Sequence, residues 1–238
     1  MKKKVVVISL GGSLIIPDRI NVEFLKQFEK VIRKNTKKYK FIIICGGGSI
    51  ARKYISALKS KKINEKLQSF SGISATRMNA RFMSYFFNQN PEKGIPVKME
   101  DIKKYLKKQN IVFCGALEYH PRETSDSTAA EIAQKFKTFF INLTDIKGLY
   151  NKNPKKFKNA KFIPKISWNK FYEMANKKLF EPGQHFILDQ NASKIILKNK
   201  IPTYIIGRNL KELDNLLNNR KFIGTRIEGL KRIKTFFL

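Results

Sequence analysis

Residues 41–52 read FIIICGGGSIAR, and this stretch decides the fold class. Its first part, Phe41–Cys45, is an unbroken apolar run rich in isoleucine, which is typical of a strand buried on both faces of a parallel sheet. The glycines Gly46–Gly48 follow at once, and Ser49 is of a residue type that often caps a helix N-terminus. The stretch therefore predicts a buried strand, a glycine turn and a helix that begins near Ser49. The unpaired N–H groups and the dipole at such a helix end favour binding of a phosphate.

A second strand with a glycine turn stands near the start of the sequence. Val5–Leu10 is again a continuous apolar run, and it ends at Gly11-Gly12-Ser13, where backbone N–H groups can approach an anion closely. Further strands are expected at 111–114, 138–143 and 201–206, and helices at 22–32, 50–58, 74–87, 128–136 and 210–217. This alternation predicts an α/β fold, a three-layer α/β/α sandwich with a mainly parallel central sheet. The ligand site of such a sheet lies at the carboxyl ends of its strands.

Composition limits the class of protein. The chain has 238 residues, of which 42% are hydrophobic, enough for one sizeable core or two closely joined lobes. No apolar run reaches the ~18–20 residues that span a bilayer, and the apolar run at 5–10 is too short for a signal peptide, so no membrane contact and a cytoplasmic location are expected. The Lys-, Asn- and Pro-rich stretch 151–161 predicts a long loop between two lobes.

The formal net charge is +31, and the lysines are spread along the whole chain. Such a charge suits an acidic substrate such as a nucleotide, and binding to nucleic acid is an alternative that is not favoured. Two familiar phosphate-binding patterns are excluded, because neither G-x-x-x-x-G-K-[ST] nor G-x-G-x-x-G occurs in the sequence.

A third polar element follows the strand expected at 111–114. Residues 120–130 read HPRETSDSTAA, and they bring the hydroxyls of Thr124 and Ser125 next to the carboxylate of Asp126 at the start of a helix. Taken alone, this pattern indicates a well-capped helix. In the second glycine motif, Arg52 lies one helical turn beyond Gly48, where its guanidinium could hold a phosphate through two hydrogen bonds.

The order of these segments resembles the amino-acid-kinase family. The segments that carry the resemblance are SLGGSL at 9–14, CGGGSIAR at 45–52, ETSDSTAAEIA at 123–133, LTDIKGLYNKNPKK at 143–156, LDQNASKII at 188–196 and FIGTRI at 222–227. The segment GISATRMNAR at 72–81 is similar to the helix after the acceptor site in uridylate (UMP) kinases of the archaeal type. The similarity covers nearly the whole chain.

This resemblance implies one amino-acid-kinase-like domain over 1–238, with an acceptor half at about 1–125 and an ATP half at about 126–238. It implies ATP-dependent phosphorylation of UMP to UDP by direct in-line transfer, in pyrimidine nucleotide biosynthesis, with ATP and Mg²⁺ as cofactors. It also implies a homo-oligomer, often a hexamer. Two alternatives stay open, a kinase for another small acceptor such as isopentenyl phosphate, and a catalytically weak homologue that senses nucleotides or binds nucleic acid.

The resemblance also implies roles for individual residues. The catalytic residues it implies are Gly12, Arg52 and Asp126. The residues it implies for UMP are Gly47, Ser69, His120, Pro121, Thr124 and Ser125. The residues it implies for ATP are Ser9, Gly11, Gly12, Gly48, Arg52, Thr144, Tyr150 and Asn153. No metal-ligating residue is expected.

Three positions depart from the family pattern by losing a charge. Ser9 stands where many relatives have a lysine, and Ser69 stands where an acidic residue usually contacts the nucleotide ribose. Asn153 precedes Pro154 where an aspartate usually meets ATP. These changes indicate an altered choice of nucleotide, a weaker activity, or a pseudo-kinase.

Overall fold

A computed structural model describes residues 3–90, 92, 94–119, 124–177 and 188–229. The strands are β1 Lys4–Leu10, β2 Tyr39–Cys45, β3 Ile111–Cys114, β4 Phe140–Leu143, β5 Leu149–Tyr150, β6 Phe162–Ile163, β7 Lys165–Ile166, β8 Thr203–Ile206 and β9 Thr225–Ile227. Seven of these strands form one sheet in the order β3-β2-β1-β4-β8-β9-β7, and β5 and β6 form a separate hairpin. Neighbours in the large sheet run parallel, except that β9 is antiparallel to β8.

Helices cover both faces of the sheet. They are α1 Gly12–Ile15, α2 Val22–Asn35, α3 Gly48–Ser60, α4 Glu65–Phe86, α5 Met99–Lys108, α6 Ser125–Lys135, α7 Trp168–Asn176, α8 Gln190–Asn199 and α9 Leu210–Leu217. Buried side chains of α1, α2, α4 and α9 form the core on one face, and those of α5, α6, α7 and α8 form the core on the other face. The expected three-layer α/β/α architecture is therefore confirmed.

The central strands supply both cores, because successive side chains of a strand point to opposite faces. In β2, Phe41, Ile43 and Cys45 join the core beneath α2, whereas Ile42 and Ile44 join the core beneath α6. All five are fully buried. This explains why the strand is apolar at every position rather than at alternate ones.

One prediction about the glycine turn was wrong. Helix α3 begins at Gly48, and Gly47 rather than Ser49 is its N-cap, without a side-chain hydrogen bond. Gly48 has φ of +64°, a left-handed conformation that glycine adopts without strain. The Ser49 N–H donates to the Ile16 carbonyl at 3.0 Å, and Ser49 lies inside the first turn of the helix rather than before it.

Other boundaries also differ from the prediction. Helix α4 begins at Glu65 rather than Ser74, because the Asn64 side chain caps it by accepting from the Leu67 N–H at 3.0 Å. The stretch 151–161 is the connection between β5 and β6, within one hairpin. In the described ranges, no helix is long and apolar enough to cross a membrane.

We expect the Gly12→Ala substitution to destabilise the fold by about 3 kcal/mol or more, because it overpacks two backbones. A Cβ at Gly12 would lie 2.0 Å from the Gly48 nitrogen and 2.8 Å from the Gly46 carbonyl carbon. The matched control is Gly72→Ala in α4, where the Cβ would meet only the Ile55 Cδ1 methyl, at 3.3 Å. Alanine is favoured over glycine inside a helix by up to ~1 kcal/mol, and a small shift of the Ile55 methyl makes room for the new Cβ, so Gly72→Ala should change stability far less than Gly12→Ala. Urea unfolding of both variants measures the two changes, and equal effects would contradict the prediction.

Candidate active site

The two glycine turns meet backbone to backbone at the carboxyl ends of β1 and β2. The Gly46 N–H donates to the Leu10 carbonyl at 2.9 Å, and the Gly11 N–H donates to the Leu143 carbonyl of β4 at 2.9 Å. A Cβ at Gly46 would lie 2.5 Å from the Gly12 nitrogen. Because no side chain fits between the turns, the backbone itself lines this part of the site.

The N-terminal end of α3 opens beside this contact. A Cβ at Gly47 would lie 2.4 Å from the Ala51 Cβ, so the turn also packs tightly on its own helix. On the next turn of α3, Arg52 donates through Nη2 to the Pro17 carbonyl at 3.3 Å. Arg52 is half-buried and lies between the helix and the loop that follows α1. The structure thus brings together four of the predicted phosphate-site positions, which are Gly12, Gly47, Gly48 and Arg52.

Asp126 lies in the first turn of α6 and joins the ends of two other strands. Its Oδ1 accepts from the Ser9 hydroxyl of β1 at 2.6 Å and from Asn142 Nδ2 of β4 at 3.0 Å. Ser9 and Asn142 are buried, and the Asn142 Oδ1 atom has no hydrogen-bond partner in the described ranges. The contact places Ser9, which stands where the sequence resemblance predicts a lysine, directly on the predicted catalytic carboxylate.

The protonation of Asp126 is shifted by its surroundings. The residue as a whole is partly exposed, but its carboxyl group is enclosed. Burial is the main cause that raises the pKa of Asp126, to about 7, and the charge of Asp189 adds to the rise. The hydrogen bonds from Ser9 and Asn142 act in the opposite direction, because they favour the ionised form. Asp126 therefore changes charge near neutral pH.

Asp189 fixes the start of α6 from beneath. It is 5% exposed, and its carboxylate accepts from the hydroxyls of Thr124 and Ser127 and from the backbone N–H of Ser127. It also caps α8 by accepting from the Ala192 N–H at 2.7 Å. One buried carboxylate thus joins two helix N-termini, where a negative charge is favourable.

A cavity of about 510 Å³ lies beyond the ends of β4 and β8. Its lining residues are Asp145, Ile146, Lys147, Tyr150, Pro154, Lys155, Gly207, Arg208, Asn209, Glu212 and Ile223. Burial raises the pKa of Asp145, but the Lys155 ammonium, in contact with the carboxylate, outweighs burial and holds that pKa below its ordinary value. The cavity has the size of a small-molecule site and combines apolar walls with cationic side chains.

The remaining predicted positions are placed as follows. Tyr150 lines the cavity, and its ring packs on Phe162 with centroids 5.5 Å apart. Thr144 follows β4, next to Asp145, and Asn153 immediately precedes the lining residue Pro154. Ser69 lies on α4. Ser125 is the first residue of α6. His120 and Pro121 lie outside the described residues.

Several site residues were missed by the sequence reasoning. Asn142 was the most visible of them, because it is an amide inside the otherwise apolar strand FINL. A polar residue at a buried strand position needs a partner, and here the partner is Asp126. Arg208 and Glu212 of the cavity had no such signal, since charged residues are common on exposed helices and loops.

We expect Asp126→Asn to stabilise the protein relative to the native chain more at pH 8 than at pH 5. The ordinary pKa of 3.8 rises to about 7 on folding, so the native chain loses stability as the pH rises through this interval. Asparagine cannot ionise and escapes this loss, and the part of the loss between pH 5 and pH 8 is on the order of 3 kcal/mol. Thermal unfolding of both proteins at the two pH values measures the difference. A stability difference that does not depend on pH would refute the assigned environment of Asp126.

Comparison with known proteins shows the family of this chain. Residues 4–207 match the Amino acid kinase family. The uridylate kinase of Thermoplasma acidophilum is 32% identical over 230 residues, covering 95% of this chain and 98% of that protein. The uridylate kinase of Thermoplasma volcanium is 34% identical over 226 residues, covering 94% of this chain and 97% of that protein.

Solved structures show the same likeness. The crystal structure of uridylate kinase from Archaeoglobus fulgidus has a TM-score of 0.78 and 30% identity, covering 94% of this chain and 99% of that one. UMP kinase from Ureaplasma parvum, at 22% identity, shares the fold with a TM-score of 0.77. Since the family match spans most of the sequence and extends over both glycine turns and Asp126, this chain belongs to the amino acid kinase family.

Proposed function

We propose that this protein is an ATP-dependent UMP kinase, which transfers the γ-phosphoryl group of ATP to the phosphate of UMP and forms UDP. The observation that carries the proposal is the backbone contact between the turns at Gly12 and Gly46–Gly48, beside Asp126. Two glycine turns in contact would let backbone N–H groups bind two phosphate groups close to each other, as phosphoryl transfer requires. The similarity to uridylate kinases over nearly the full chain supports UMP as the acceptor.

The two nucleotides would enter from opposite sides of this contact. We assign ATP to the cavity at Tyr150, with Thr144 and Asn153 at its edge and its phosphates directed toward Ser9, Gly11, Gly12 and Gly48. We assign UMP to the side of Gly47, Ser69, Thr124 and Ser125, together with His120 and Pro121. The division into an acceptor half at about 1–125 and an ATP half at about 126–238 follows from this assignment.

In-line phosphoryl transfer needs positioning and charge stabilisation rather than a covalent intermediate. The backbone amides of the glycine turns would hold the phosphates by hydrogen bonds, and the dipole of α3 would stabilise negative charge there. Arg52 would neutralise charge on the transferred group. Asp126, held by Ser9 and Asn142, would fix the ends of β1 and β4 relative to α6.

We propose Mg²⁺ as the metal that accompanies ATP. In the described ranges no group of three or more His, Cys, Asp or Glu residues is arranged for a metal. Among the described residues, Asp126 brings a carboxylate beside the first glycine turn through its contact with Ser9. This fits Mg²⁺, which is usually held by one or two carboxylates and by substrate phosphates rather than by a protein cage. The bound ion would neutralise phosphate charge.

Ser9 stands where the sequence resemblance predicts a lysine, and its hydroxyl gives Asp126 a partner without a charge. A lysine next to Asp126 would pair with the carboxylate, whereas the Ser9 hydroxyl satisfies it with a neutral hydrogen bond of 2.6 Å. The positive charge needed at the phosphates would then come from Arg52.

We propose that the enzyme is cytoplasmic and acts in pyrimidine nucleotide biosynthesis, as the sequence resemblance implies.

The proposal is tested by measuring ADP release with ATP and Mg²⁺ against UMP, CMP, dUMP, isopentenyl phosphate and N-acetylglutamate. We expect turnover with UMP. Arg52→Ala should lower kcat/KM by about 10–100-fold, the loss of one or two charge-assisted hydrogen bonds. Lys53→Ala, the adjacent exposed cation on α3, is the matched control and should retain activity. Nucleotide binding without turnover of any acceptor would refute the kinase and leave a sensor.

We propose that the protein is a homo-oligomer, and an apolar stripe on α4 supports this. The stripe consists of Leu67, Phe70, Met78 and Tyr85, which are 41% to 55% exposed. Their spacing places them on one face of a helix about 33 Å long. An antiparallel second copy of the same helix would cover both ends of the stripe at once, because large apolar residues stand near each end.

We expect light scattering to give a mass that is a multiple of the monomer mass, and Met78→Glu to reduce it by placing a charge within the stripe. Phe157→Glu adds the same charge at an exposed phenylalanine in the loop between β5 and β6, and it should leave the mass unchanged. A native monomer, or equal dissociation of both variants, would rule out the stripe as the contact.

A further inference from the structure

The inner face of α4 holds the loop that connects β3 to α6. The Ala116 N–H donates to the Thr76 hydroxyl oxygen at 3.0 Å. Arg77 donates through Nε to the Ala116 carbonyl at 3.1 Å and through Nη2 to the Leu117 carbonyl. Two adjacent residues of one helix thus satisfy three polar groups of the loop backbone.

The loop also packs tightly against α4 at Gly115, which leaves no room for a side chain of its own. A Cβ at Gly115 would lie 2.6 Å from the Arg77 backbone nitrogen and 2.6 Å from the Thr76 hydroxyl oxygen. Further along, the Tyr119 ring packs on Phe70 of α4 with centroids 5.1 Å apart. Both ends of the segment 115–119 therefore contact α4, at Thr76 and Arg77 and at Phe70. Its start, Ala116 and Leu117, is buried to 6% exposure.

The same helix holds the glycine turn after β2. Asn79 Nδ2 donates to the Gly46 carbonyl at 2.7 Å, within the core. Gly47, the position assigned to the acceptor, follows this carbonyl directly. Helix α4 is thus the common support of both chain segments that we assign to the acceptor side.

The guanidinium of Arg77 has a distinctive role in this support. No salt bridge of the described ranges involves Arg77, so its described partners are the two loop carbonyls. Hydrogen bonds from a cation to neutral carbonyls are stronger than those between neutral groups. The planar guanidinium also fixes two acceptors at a set separation, which a lysine ammonium cannot do.

We propose that Arg77, together with Thr76, is a positioning residue that sets the affinity for the acceptor nucleotide by fixing the loop at 115–117. The inference rests on the proposed function, because the loop leads to Thr124 and Ser125, which we assign to UMP. ATP is assigned to the far side of the glycine turns, so its affinity depends on other elements.

The first test is Arg77→Lys, which keeps the charge but can keep at most one of the two hydrogen bonds. We expect KM for UMP to rise about tenfold, the loss of one charge-assisted hydrogen bond, while kcat and KM for ATP stay within about twofold. Arg81→Lys, the same substitution one turn further along the exposed part of α4, is the matched control and should change neither constant. A fall in kcat with an unchanged KM for UMP would overturn the proposal.

Hydrogen exchange of residues 111–119 tests the positioning step without any substrate. Arg77→Lys should speed exchange of the Ala116 N–H about tenfold relative to Arg81→Lys, because the loop opens more often. If Arg77→Lys does not fold, the pair Thr76→Val and Thr76→Ser replaces it, since only serine keeps the hydroxyl that accepts from Ala116. Unchanged exchange would overturn the proposal. If the native chain shows no UMP turnover, the proposed function fails, and the exchange rates still decide whether Arg77 holds the loop.

Discussion

The contact between the backbones of Gly12 and Gly48 is the constraint on which the rest of the site depends. The ends of β1 and β2 can approach so closely only because neither turn carries a side chain at the contact. This approach brings the first residues of α3 beside the turn of β1 and leaves backbone N–H groups as the natural lining. A fold that placed these turns one side chain further apart would lack the common site that we propose for two phosphates.

Carboxylates organise the third side of the same site. Asp189 fixes the N-termini of α6 and α8 from within the core, and Asp126 then reaches the ends of β1 and β4 through Ser9 and Asn142. The two carboxylates influence each other, because the charge of Asp189 helps to raise the pKa of Asp126 to about 7. Ser9 is neutral, so its contact with Asp126 does not require the carboxyl group to be ionised at all times.

The sequence predicted the central strands and the glycine turns well, because strands buried on both faces are apolar throughout and glycines end them. It predicted helix starts and side-chain contacts less well, because these depend on residues that are distant in the sequence. The start of α4 was missed because its first turns expose Leu67 and Phe70, which obscures the usual helical period. Ser49 was taken for a cap from its residue type, but the bond to Ile16 and the left-handed Gly48 decide the helix start. The Asp126–Ser9 contact joins residues 117 positions apart, which no local pattern reveals.

Helix α4 contacts other parts of the chain on one face and carries the proposed subunit contact on the other. Its inner face is bonded to the loop at 115–117 and to Gly46, while its outer face carries the apolar stripe, of which Phe70 also packs on Tyr119 of the loop. Few of its positions are left to vary freely, so this helix should accept fewer neutral substitutions over evolution than α2 or α5, which expose one polar face. A change in α4 that alters the proposed subunit contact would also alter the proposed acceptor side. The strength of subunit association and the affinity for the acceptor should therefore vary together among relatives.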